Sequence, residues 1–93
     1  MALKKFIIER EIPKVGGFDA TQLSGAAAKS NEALCKIGAA DIQWVNSYVT
    51  SDKTFCVYLA KDEAAIRKHA EISGFPANKI TEVIEVIDPT TAS

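Results

Sequence analysis

The chain has 93 residues, 47% hydrophobic and 25% charged, with eleven basic and twelve acidic side chains and a net charge of −1. This is the composition of one small globular domain spanning 1–93, and such a domain buries only about 60–65% of its unfolded surface, so a partner subunit would help it. No basic block supplies the positive face that nucleic-acid binding needs, and no apolar run approaches the roughly 18 residues of a membrane span, so neither is an expected partner.

The N-terminal stretch "MALKKFIIEREI" is basic, but its apolar piece ends at Glu9, too short for a secretion signal, so a cytoplasmic location is expected. In that setting Cys35 and Cys56 are read as two reduced, buried thiols, and their spacing matches no zinc or redox motif.

Lys5 to Ile12, "KFIIEREI", reads as a strand, stopped by Pro13 and by a flexible loop at Gly16-Gly17. No "GxGxxG" or "GK[ST]" pattern makes that loop a phosphate site. Asp19 with Gln22 three positions on has capping-box spacing, and Leu23, Ala27, Leu34 and Ile37 fall near one face of the helix that follows. Gly25 inside that helix suggests close packing on a sheet, and Gly38 ends it. A hairpin follows, from about Asp41 to Thr50 and on to Ala60, turning at Ser51-Asp52-Lys53. A second helix from Asp62 to Ser73 closes at Gly74, with Phe75-Pro76 beyond it. The last strand is Lys79 to Ile87, rich in β-branched residues, and 88–93 is a polar tail.

The order β-α-β-β-α-β is that of the ferredoxin-like α+β sandwich, a four-stranded antiparallel sheet with two helices on one face. The hairpin "IQWVNSYVTSDKTFCVYLA" then raises a question, because neither of its alternating faces is plainly made for water. A three-residue turn puts Trp44, Asn46, Tyr48, Cys56 and Tyr58 on the open face, and leaves Val45, Val49, Phe55, Val57 and Leu59 as a helix-covered core. A two- or four-residue turn reverses that assignment. With Phe6 and Ile8 facing the helices, Ile7, Glu9 and Glu11 join the open side. A face so apolar is expected to be covered by a second copy, giving a homodimer with a central cleft between the sheets.

The stretches "FIIEREIP", "IQWVNSYVTSDKTFCVYLAKDEAAIRKHA" and "GFPANKITEVIEVIDPTTA" resemble a small, mostly bacterial family of domains of unknown function that includes a nickel-binding protein. The resemblance implies the ferredoxin-like fold, a dimer and a role with nickel or another divalent transition metal. It implies no reaction and no organic cofactor. Members of that family often carry a His where this chain has Asn46, and an amide is a poor nickel ligand.

His69, the only histidine, is the candidate imidazole ligand, with Glu9 and Glu11 as carboxylate partners; a partly exposed helix residue and a charge ladder along the strand are the plainer readings. Trp44, Asn46, Tyr48 and Tyr58 are candidates to shape a small-molecule pocket in the cleft, or else are simply interface residues. Two functions follow: a homodimeric metal-binding protein for sequestration or sensing, or a dimeric α+β-barrel enzyme or small-molecule binder. In the second, Glu9 or His69 would move protons. A third reading is a bare assembly module. Cys56 reads as structural, for want of a neighbouring base.

Overall fold

Four antiparallel strands pair in the order β2-β3-β1-β4, where β1 is Lys4–Glu11, β2 Ile42–Val49, β3 Lys53–Ala60 and β4 Lys79–Val83. The structure, a computed structural model, describes residues 2–92. Helices α1, Ala20–Ile37, and α2, Glu63–Ser73, complete the β-α-β-β-α-β order of the ferredoxin-like fold. No helix among the described residues is long and apolar enough to cross a membrane.

Both helix starts are fixed by local chemistry. Asp19 Oδ1 accepts from the Gln22 backbone N–H at 2.8 Å while Gln22 Oε1 accepts from the Asp19 N–H at 2.9 Å, a complete capping box. Asp62 caps α2 by accepting from the Ala65 N–H at 2.9 Å. Gly74 ends α2 at φ 80°, where a side chain would be strained.

The hairpin settles which face is which. Thr50 N–H donates to the Lys53 carbonyl at 2.9 Å, so only Ser51 and Asp52 lie in the turn, and Val49 pairs with Thr54. This is the two-residue connection, and it reverses the three-residue assignment. Thr54, Cys56, Tyr58 and Ala60 are buried against the helices, joining Phe6, Ile8, Ile42, Ala65 and Ile66. Phe55, Val57 and Leu59, expected in the core, are half-buried on the open face instead.

A β-bulge then splits β2. Trp44 pairs with Tyr58 and Asn46 with Val57, leaving Val45 as the extra residue, 52% exposed. Side-chain parity flips at that point, so Trp44 sits on the helix side with Ser47, and Asn46 and Tyr48 sit on the open face.

Three further expectations change. The last strand stops at Val83, opposite Lys5, because β1 begins at Lys4 and offers no partner beyond; Ile84, Val86 and Ile87 stand 83%, 65% and 75% exposed. Gly16-Gly17 belongs to a short 3-10 turn rather than a flexible loop. Gly16 N–H donates to the Ser51 carbonyl at 3.0 Å, so the turn is tied to the hairpin. Gly25 does not pack on the sheet, since nothing beyond its own stretch of helix lies within 4 Å of where its Cβ would stand.

Candidate functional site

On the helix side of the sheet a chain of polar groups runs through the core. Arg10, at the end of the inward row Phe6-Ile8-Arg10 on β1, is 2% exposed. Its guanidinium donates to the Pro76 carbonyl at 2.8 Å and more weakly to that of Phe75 at 3.5 Å, tying the segment after α2 to the sheet. Its Nη2 lies 3.4 Å from His69 Nδ1. His69 Nε2 lies 3.1 Å from Ser30 Oγ, which is 3.2 Å from the Tyr58 hydroxyl. The Tyr58 ring meets His69 edge-on at 5.0 Å and Arg10 Cζ at 5.9 Å.

The electrostatics follow from burial. His69 has its pKa pushed down to about 4, chiefly because its charged form would be stripped of water, and secondarily because Arg10 repels a second positive charge. The Tyr58 hydroxyl is pushed up by burial and remains protonated. Among the described residues no carboxylate pairs with the Arg10 guanidinium. The result is a buried cation whose neighbours are carbonyls, a hydroxyl and a neutral imidazole.

Beside this chain lies a cavity of about 260 Å³ between the sheet and the first half of α1. It exists because over its middle α1 turns only Ala26 and Ala27 toward the floor of Trp44, Cys56 and Tyr58, and their methyl groups are too short to fill the gap between Leu23 at one end and Ser30, which reaches Tyr58, at the other. Leu23 and Val49, 38% and 46% exposed, mark its mouth. Trp44 stacks near-parallel to Tyr58 at 6.4 Å, and its indole N–H donates to Ser47 Oγ at 3.0 Å, a contact that the bulge makes possible. Arg10 forms part of the wall.

The candidate residues read from the sequence therefore separate. Trp44 and Tyr58 share the helix-side cavity, while Asn46 and Tyr48 lie exposed across the sheet. His69, expected to be partly exposed, is fully buried on the helix side. Glu9 and Glu11 lie on the other face, Glu9 with its carboxylate 3.5 Å from Lys53 Nζ. Among the described residues no three His, Cys, Asp or Glu side chains gather as a metal site. His69 does not fit nickel: one ring nitrogen faces a guanidinium that repels any cation, and the other is engaged by Ser30. Glu9 and Glu11 do fit a divalent cation as accessible oxygen donors, though not as a complete set. Cys56 is buried as expected, whereas Cys35 is exposed. Arg10 and Ser30 escaped the sequence reading. Arg10's only signal was its place in the inward alternation of a strand, where a charge is out of pattern.

Comparison with known proteins agrees with the fold. The chain resembles the crystal structure of SCO4226 from Streptomyces coelicolor A3(2), with a TM-score of 0.74 at 16% identity, over 89% of this chain and 99% of that one. No curated protein matches it. Residues 6–83 match the family described as nickel responsive protein SCO4226-like. The match takes in β1 from Phe6, the other three strands and both helices, and on it the chain belongs to the SCO4226-like family.

Proposed function

We propose that the protein acts in the nickel response of the cytoplasm as a homodimer, closed through the open sheet face, that takes up a divalent transition metal between its subunits. The observation that carries the metal reading is the family match over residues 6–83. The dimer is supported by the face itself. Ile7, Phe55, Val57 and Leu59 form its apolar centre, with Tyr48 59% exposed beside them. Lys5, Lys53 and Lys79 stand among Glu9 and Glu11, so a two-fold axis can set opposite charges against each other.

Such an arrangement brings a Glu9 and Glu11 from each copy to a common face. Carboxylates without imidazole hold nickel weakly, which suits reversible sensing better than sequestration. His69 takes no part, being committed to the core, and Asn46 adds at most an amide oxygen.

The test is a thermal-shift panel on metal-free protein with nickel, cobalt, zinc and magnesium, beside the Glu9→Gln/Glu11→Gln double variant. A nickel-selective rise in melting temperature that the double variant loses is the expected result. A flat panel for the wild type sinks the metal reading, and a monomer by sedimentation sinks the dimer.

A further inference from the structure

We infer that the cavity under α1 is a binding site for a small organic monocarboxylate with an apolar body, its carboxylate held by Arg10. This goes beyond the metal reading and does not depend on it, since the cavity lies on the opposite side of the sheet from Glu9 and Glu11.

Three observations meet here. A guanidinium has five N–H donors; Arg10 gives three, to Phe75, Pro76 and His69, and a fourth is turned to the Tyr58 hydroxyl. One remains, on a 2% exposed residue that forms part of the cavity wall. Among the described residues no sealed side-chain nitrogen or oxygen is wholly without a partner, so Arg10 Nε, which makes no hydrogen bond, is not sealed in the core.

Second, the charge is uncompensated. A buried cation is retained at a cost unless an anion meets it, and the described carboxylates all pair elsewhere or lie at the surface. The imidazole beside it is held neutral, so the site carries one positive charge and suits one negative charge. A phosphate dianion would need more donors than this wall offers.

Third, the rest of the cavity is apolar and aromatic. Val15, Phe18, Leu23, Trp44 and Phe75 supply its sides, and the paired hydroxyls of Ser30 and Tyr58 line it together with Arg10. At about 260 Å³ it is smaller than the roughly 300–1,000 Å³ clefts that take drug-sized molecules. A single ring or a short branched chain bearing one carboxylate matches that volume and lining.

The experiment is titration of the full chain with benzoate, phenylacetate and hexanoate, each beside its neutral amide, followed by calorimetry and by amide shifts in 15N spectra. At least one acid is expected to bind with shifts clustered at Ser30, Trp44 and Tyr58. Its amide is expected to bind about tenfold more weakly or worse, the factor for losing a charge-assisted hydrogen bond. Arg10→Met should abolish the difference between acid and amide. Ala27→Leu, which leaves Arg10 in place and fills the cavity, should abolish binding of both. Failure of all three acids to bind at millimolar concentration overturns the site. So does equal binding of acid and amide, or unimpaired binding by Ala27→Leu. None of these outcomes depends on whether nickel binds.

Discussion

Arg10 and His69 meet between the sheet and α2, with Nη2 3.4 Å from Nδ1, and this contact assigns the ring's proton. The guanidinium only donates, so Nδ1 is the acceptor and Nε2 carries the hydrogen, which points at Ser30 Oγ 3.1 Å away. A histidine so placed is a neutral structural element, poised neither to titrate near neutrality nor to ligate a metal.

Stability should therefore depend on pH in a defined window. The folded His69 pKa is about 4 against an ordinary 6.5, so between those values the unfolded chain binds a proton that the folded one refuses. The contribution is whole above pH 6.5 and is lost as pH falls toward 4, by roughly 3 kcal/mol. Urea denaturation at pH 7, 5.5 and 4.5 reads this directly. His69→Gln should be less stable at pH 7 and show a flatter slope; a wild type with no slope above pH 4.5 would contradict the buried neutral ring.

Removing the neighbouring charge should raise that pKa without restoring it. In Arg10→Met the repulsion disappears but burial, the larger cause, stays. An NMR titration of the His69 ring should give a value above 4 and still below 6.5. A full return to 6.5 would mean that the guanidinium, not desolvation, dominates.

The two adjacent glycines should differ. A Cβ on Gly16 would stand 2.8 Å from Ser51 Cα and from the Thr50 carbonyl, both backbone atoms that cannot swing aside. Gly17 has nothing within 4 Å. Gly16→Ala is expected to cost about 1–3 kcal/mol by forcing the 3-10 turn off the hairpin, while Gly17→Ala should change the melting temperature little. Thermal melts of the two variants side by side decide it, and equal effects would contradict the close approach.

Assembly through the open face predicts that a charge at its centre prevents it. Val57→Lys places an ammonium among Ile7, Phe55 and Leu59, away from the Arg10–His69 chain. Sedimentation should show wild-type dimer and variant monomer, with the His69 titration unmoved. A variant that still dimerises would place the interface elsewhere.

Local chemistry alone determined much of this protein. Asp19, Gln22, Gly38, Asp62 and Gly74 mark the helix ends, and the β-α-β-β-α-β order follows from them and from the β-branched runs. These signals act over a few residues, so they can be read in place. Which face of the hairpin is covered was not readable. One residue in the turn and one bulged residue, Val45, each invert the parity of everything beyond them. The site lay further out of reach. His69 is buried by Ser30 and Arg10, 39 and 59 positions away, and its role was decided only when the fold brought them together. The cavity exists through small residues on α1 opposite large ones on β2 and β3, a mismatch that no single segment contains.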